Sequence, residues 1–337
     1  MKPRFLGMAL RTSPHVARGD DVRVIMRNEV YALLPTSAMA VYAFGLSAAA
    51  LLATTTASAL AAEYAVARAA GRPHTLGDST AIITGLLLGL TLPPGFPLWM
   101  AAVGGAVSVM LGKTLFGGLG FNIFNPALVG RAFLQAAFPV AITTWSAPFA
   151  PQRLGELISS SLALPLLKAA PAALTGATPL AAFKFEQRLA ADADLLLGMV
   201  SGSAGETSAV LILLGGLYLA ARRMLDWRIP VGVLGTVLAF SGLLHWLNPA
   251  YPPPVFMLLS GGLMLGAVFM ATDMVTSPVT PLGVWLFSAF IGALTVVIRI
   301  WGGLPEGVMY AILLGNGMTP LINTWTQPRI YGARKAT

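Results

Sequence analysis

The chain contains no cysteine. It can therefore form no disulfide, bind no zinc through thiolates and hold no iron–sulfur cluster of its own. Histidine is nearly missing as well. His15, His74 and His245 are scattered, and only His245 lies in an apolar run, which excludes a bis-histidine haem within one chain. Any electron traffic through this chain needs an organic cofactor. Charge is the third shortage: 10% of the 337 residues are charged and 56% are hydrophobic, against roughly 25% charged in an ordinary soluble domain. So little polar surface cannot cover a 35.1 kDa particle in water. The mean hydropathy of +0.76 agrees, and a bilayer is the solvent this composition suits.

The charge that is present is unevenly placed. A net charge of +8 in a soluble protein points to nucleic acid. Here Lys2, Arg4, Arg11, Arg18, Arg23 and Arg27 all precede the first apolar run, which reads as a cytoplasmic N-terminus beside membrane lipids, with no nucleic-acid partner. The first 29 residues lack a continuous apolar core, so no cleavable signal peptide is expected.

Charge-free stretches divided at about 20 residues per span, with Pro and Gly as punctuation, predict an all-α polytopic protein of ten helices. They begin near Val30, Leu46, Ser79, Leu98, Asn122, Glu206, Ile229, Pro254, Pro281 and Glu306. Ten spans put both termini in the cytoplasm, and fifteen of the 21 basic residues then fall on that side. The expected organisation is a cytoplasmic segment over 1–29, five helices over 30–138, a large extracytoplasmic loop over 139–205, five helices over 206–325 and a cytoplasmic tail over 326–337.

The two halves echo each other. Gly85-Leu86-Leu87-Leu88-Gly89 resembles Gly262-Leu263-Met264-Leu265-Gly266, and Gly117-Gly118-Leu119 resembles Gly302-Gly303-Leu304, in the same order in each half. Five spans is an odd number, so the halves are expected to be inverted relative to each other, an architecture of transporters in which interrupted helices meet near the midplane. Leu92-Pro93-Pro94-Gly95 stops the third span early, and Asn122 and Asn125 open the fifth beside Pro126. Irregular backbone at that depth is tolerated only against protein or a polar cavity.

Several polar residues have two readings. Ser201-Gly202-Ser203-Ala204-Gly205-Glu206-Thr207-Ser208 is an ordinary helix start, with a serine to cap and Glu206 suited to the helix dipole. Its glycines also let a ligand approach backbone N–H groups. Arg131 and Asp273 are charges in or near spans, costly unless paired or wet; the plain readings are a snorkelling stem for Arg131 and a span end for Asp273. Asp78, before Ser79 and Thr80, reads as a helix cap or, with Asp273, as part of a cation route.

Four segments occur together: Leu174-Thr175-Gly176-Ala177-Thr178-Pro179-Leu180, the Ser201–Ser208 run, Phe124-Asn125-Pro126-Ala127-Leu128-Val129-Gly130-Arg131, and Ala271-Thr272-Asp273-Met274-Val275-Thr276-Ser277-Pro278. In this conjunction, from Ser13-Pro14-His15 to the last span, the chain resembles the RnfD proteins of Rnf ion-translocating oxidoreductase complexes, relatives of the NqrB protein of the sodium-pumping NADH:quinone oxidoreductase. The resemblance implies that Thr178 carries FMN through a phosphoester bond made by an FMN transferase. Around it, Thr175, Gly176, Ala177, Gly202, Ser203, Gly205, Glu206, Thr207, Ser208, Asn125 and Arg131 become candidate cofactor contacts. It further implies a bacterial inner-membrane location with a periplasmic FMN loop, and room for a non-covalent riboflavin. The partner subunits would be iron–sulfur and flavin proteins, linking NADH and ferredoxin chemistry to Na⁺ or H⁺ movement. No catalytic side chain and no metal are expected in this chain. A non-redox channel or carrier of the inverted-repeat type, and the quinone-reductase relative, are the competing readings.

Overall fold

A computed structural model of the chain describes residues 21–71, 75–164 and 176–328. Among these residues the fold is entirely helical, with no β-strand element. The first half contains α1 (Val22–Phe44), α2 (Leu46–Ala69), α3 (Thr80–Thr91), α4 (Leu98–Gly112) and α5 (Pro126–Ala137). Short helices α6 (Pro139–Ile142), α7 (Pro179–Glu186) and α8 (Asp192–Leu197) follow. The second half contains α9 (Ala209–Ala221), α10 (Arg228–Leu247), α11 (Pro254–Leu259), α12 (Leu263–Leu265, continued by a π turn over Gly266–Met270), α13 (Pro281–Trp301) and α14 (Val308–Trp325).

Each expected span start meets a helix, with α1 beginning eight residues earlier than Val30. Four helical runs are long and apolar enough to cross a bilayer unaided: Leu46–Ala69, Leu98–Phe116, Arg228–Leu247 and Pro281–Trp301. Among the remaining described helices, α3, α5 and α11 are bounded by local sequence. Pro93 and Pro94 remove the N–H groups that would extend α3, leaving 92–97 as non-helical backbone that is buried in protein. Asn125 caps α5 by accepting from Ala127 N and Leu128 N, with Pro126 at the first helical position. α11 stops at Ser260, and Gly261 turns the chain with φ +67°.

Helices approach closely where one of them offers glycine. A Cβ on Gly85 would lie 2.4 Å from Thr56 Cα, and one on Gly105 would lie 2.7 Å from Thr55 O, so α3 and α4 both rest directly on the α2 backbone. In the second half Gly292 of α13 lies against Val233 and Thr236 of α10 in the same manner. α2 packs on α3 and α4, α4 on α5, α10 on α13, α13 on α14, and α1 joins the halves through α9. One apolar core runs across both halves through Leu33, Leu51, Leu88, Leu128, Phe269 and Phe287.

Aromatic pairs mark both ends of the α10–α13 pair. Trp227 meets Trp285 at the helix starts, 6.2 Å between ring centroids, and Tyr251 meets Trp301 past their ends, 6.1 Å apart. The two helices therefore run parallel. Arg222, Arg223 and Arg228 lie at the starting end, and α7 with its Lys184 lies at the finishing end, where Lys184 Nζ donates to Arg299 O at 3.2 Å and to Gly302 O. That ammonium fills the C-terminal carbonyls of α13, and partial burial lowers its pKa below the ordinary lysine value.

Candidate functional site

The finishing end of α10 and α13 carries the Thr178 site. Thr178 is the N-cap of α7: its hydroxyl accepts from Ala181 N at 3.2 Å, while Pro179 occupies the first helical position. The residue is 1% exposed, yet it borders a cavity of about 400 Å³ with Gly176, Ala177, Trp145, Phe185, Tyr310, Arg131 and Glu306. A cavity of this size lies within the range of small-molecule sites. Backbone N–H groups at the start of α7 and the positive end of its dipole suit an anionic ligand group. Gly176 anchors the loop, donating its N–H to Trp145 O at 3.1 Å; a Cβ there would lie 2.3 Å from Ser201 Oγ. The Thr-Gly-Ala-Thr loop and the Gly-Ser-Ala-Gly-Glu turn, remote in sequence, thus meet at Gly176.

Beneath the cavity lies a charged layer built by four elements. Arg131 of α5, 7% exposed, donates to Thr91 O at the end of α3 and to Glu306 Oε2 at 2.7 Å. Arg299 of α13, 5% exposed, donates to Met257 O and, at 2.8 Å, to Ser260 O at the end of α11. Each arginine thus satisfies carbonyls orphaned where a helix is interrupted. Glu206 accepts from Ser203 Oγ at 2.8 Å and lies beside Glu306, the two side chains resting against the adjacent residues Gly262 and Gly261.

The expected contacts divide accordingly. Gly176, Ala177, Thr178 and Arg131 share the cavity, and Gly202, Ser203 and Glu206 lie against the charged layer below it. Gly205 instead packs between Leu90 and Leu265, each 2.9 Å from where its Cβ would be, and Ser208 caps α9 by accepting from Leu211 N at 3.4 Å. Thr207 ends the short helical turn that begins at Ala204. Thr175 lies outside the described residues.

Asn125 and Asp273 sit elsewhere, around a second cavity of about 70 Å³ lined also by Glu29, Lys113, Asn122 and Met224. Asn125 Nδ2 donates to Met270 O at 3.2 Å, and its backbone N–H reaches the Asn316 amide oxygen at 3.1 Å when that amide is turned to satisfy both groups. Asp273 accepts from Val275 N at 3.1 Å in a local turn. Asp78 caps α3, accepting from Thr80 N at 2.9 Å and from Thr80 Oγ1 at 2.6 Å. Lys113 reaches Glu63 at 2.9 Å and Thr80 Oγ1 at 2.6 Å.

Sequence reasoning took Glu306 as a helix start and gave Arg299, Glu29, Glu63 and Lys113 no role in a site. One signal was available: Glu306 is the sole acidic residue after Asp273.

Comparison with known proteins places nearly the whole chain in one family. The model of the NQR2, RnfD, RnfE family matches residues 9–332. The chain is 41% identical over 341 residues to the D component of the proton-translocating ferredoxin:NAD(+) oxidoreductase complex of Clostridium ljungdahlii, covering 97% of this chain and 96% of the relative. It is 43% identical over 327 residues to the D component of the ion-translocating oxidoreductase complex of Stutzerimonas stutzeri, covering 91% of each. It is 40% identical over 332 residues to the D component of the Na(+)-translocating ferredoxin:NAD(+) oxidoreductase complex of Acetobacterium woodii, covering 98% and 97%. With a helical membrane body, an enclosed threonine at a helix start and matches along nearly its whole length, the chain belongs to the NQR2, RnfD, RnfE family.

Proposed function

We propose that this chain is the RnfD-type membrane component of an Rnf-type ion-translocating oxidoreductase complex and that it carries FMN covalently on Thr178. It is one part of a translocase, and the iron–sulfur and nicotinamide steps belong to partner subunits, since a chain without cysteine supplies no cluster ligands. The observation that carries the reading is the Thr178 hydroxyl, a cap oxygen at the mouth of α7 bordering a cavity of about 400 Å³. Gly176 and Ala177 keep that hydroxyl free of bulky neighbours on the loop side. Trp145, Phe185 and Tyr310 offer aromatic faces on which a planar ring system can stack. Bound there, FMN would supply electron-transfer chemistry, while Thr178 anchors its phosphoryl end and the loop and α7 exclude water.

The membrane arrangement we infer is ten spans in two inverted repeats. Supporting it are the corresponding partners α2 with α4 and α10 with α13, the interruptions after Thr91 and Leu259, and one buried arginine closing each interruption. The basic residues Arg222, Arg223 and Arg228 favour a cytoplasmic start for α10, which puts Thr178 on the periplasmic side of a bacterial inner membrane. The second cavity, of about 70 Å³, lies away from the Thr178 site. Its Glu29, Asp273 and Asn122 side chains suit a hydrated cation route.

The attachment is tested by producing the complex in cells that contain the flavin transferase and running denaturing gels. A fluorescent band at the mass of this chain, lost in Thr178→Ala, is expected. A native complex whose Thr178 peptide has an unmodified mass would overturn the assignment, as would cleavage of that loop by protease applied only from the cytoplasmic side.

A further inference from the structure

Glu206 and Glu306 are neighbouring carboxyls: a Cβ on Gly262 would lie 3.8 Å from Glu206 Oε1, and one on the adjacent Gly261 would lie 3.8 Å from Glu306 Cγ. Each has one oxygen with a protein donor, Ser203 Oγ for Glu206 Oε1 and Arg131 Nη2 for Glu306 Oε2. The remaining oxygens, Glu206 Oε2 and Glu306 Oε1, are buried and have no donor. An ionised carboxylate is acceptor-only, so a carboxyl–carboxylate hydrogen bond requires one proton between the two groups. The surroundings hold them together: a Cβ on Gly202 would lie 2.4 Å from Glu206 Oε2, and one on Gly261 would lie 3.8 Å from Glu306 Cγ and 3.1 Å from Arg299 Nη2. The charged and titratable groups facing the pair are Arg131 from α5, Arg299 from α13 and Tyr310 from the next turn of α14; Lys184 of α7 is held at the end of α13. Arg131 and Arg299 each retain a buried Nε–H with no acceptor, and two guanidinium groups beside a carboxyl pair that shares one proton leave the layer positively charged.

We propose that Glu206 and Glu306 form a binding site for one exchangeable proton, and that charge added in the Thr178 cavity strengthens its hold. With one proton the four-residue layer carries a net charge of +1, and without it the layer is neutral. An electron delivered by a partner redox protein to a cofactor in the cavity adds one negative charge. The pair then keeps its proton to a higher pH; above the resting midpoint, where the pair has lost its proton, one is taken from the extracytoplasmic water to form the O–H bond and balance that charge, and oxidation reverses both movements. A unit charge roughly 10 Å away at an effective dielectric of about 20 changes proton affinity by roughly tenfold. The coupling part of this proposal rests on FMN at Thr178; the proton site itself does not.

Infrared spectroscopy of the purified complex tests both parts separately. Wild type is expected to show the carbonyl stretch of a protonated carboxyl near neutral pH, sensitive to deuterium exchange and shifted by ¹³C-carboxyl glutamate labelling. Glu206→Gln and Glu306→Gln should each remove that band. The labelling assigns it without any substitution, should either variant fail to assemble. Chemical reduction should raise its titration midpoint, corresponding to about tenfold tighter proton binding. In Thr178→Ala the band should persist and its midpoint should no longer respond to the reductant. A complex with no such band between pH 5 and 9, or a band untouched by both glutamine variants, overturns the proton site. A band present in wild type whose midpoint ignores reduction, while the gel shows flavin on Thr178, overturns the coupling. A Thr178→Ala complex that keeps its flavin would sink the attachment and leave the glutamate band to be judged on its own.

Discussion

The two ends of this helical body solve the same electrostatic problem with different cations. At the Thr178 end, arginines serve the interrupted helices: Arg131 bridges Thr91 O and Glu306, and Arg299 bridges Met257 O and Ser260 O. At the other end a lysine, Lys113, gathers Glu63 and Thr80 beside Asp78, which is 4.0 Å away. The difference follows from geometry. A planar fork can satisfy two acceptors at fixed positions in separate elements, whereas an ammonium is a compact point charge with freely rotated donors. Where a helix is broken and its last carbonyls point into protein, the fork is the suitable group. Where a helix begins and carboxylates already cap it, as Asp78 does for α3, a point charge is enough.

Removing the fork should cost most. Arg131→Met leaves Glu306 and Thr91 O without their donor, and a loss of about 3–5 kcal/mol is expected, read as a large drop in the thermal unfolding temperature of the complex. Arg131→Lys should recover only part of that loss; full recovery would break the distinction between the two cations. Lys113→Met should cost less, about 1.5–3 kcal/mol for lost hydrogen bonds to a charged group, because Thr75 still donates to Glu63. A Lys113→Met complex that melts below Arg131→Met would reverse the ranking of the two ends. Asn125→Ala removes the α5 cap and should cost about 1 kcal/mol, measured by the same melt and without loss of covalent flavin. Thr178→Ala should be mildest for stability, about 0.5 kcal/mol for one cap on an eight-residue helix, while abolishing the fluorescent gel band. Thr178→Ser, which keeps a cap oxygen, should melt as wild type does.

How much of this could be read beforehand varied with the kind of residue. The helix starts at Leu46, Leu98, Pro254 and Pro281 coincide with the expected ones because proline and charge boundaries act locally. α1 begins early at Val22 because Arg23 and Arg27 are tolerated at the end of an otherwise apolar helix. Gly176, Ala177, Thr178 and Arg131, four of the candidates that the family resemblance implies, border one cavity. Asn125 and Gly205 joined that set through motif membership, yet one caps α5 beside the other cavity and the other is a packing contact against Leu90. A motif fixes which residues travel together along the chain, and backbone direction then separates neighbours onto different faces. Glu306 was legible only as a lone acid in an apolar half; its partners lie 100 and 175 positions upstream, at Glu206 and Arg131.

The sequence by itself determined that this chain is helical, lipid-solvated and free of thiol chemistry, because composition and charge spacing are properties that the residues contribute locally. It also determined which threonine stands beside a helix-starting proline. Only the tertiary structure decided which broken helix ends face one another, and therefore where Arg131, Arg299, Glu206 and Glu306 converge. Electrostatic pairing depends on distances between remote elements, and those distances exist only once glycine-lined helices have closed on each other.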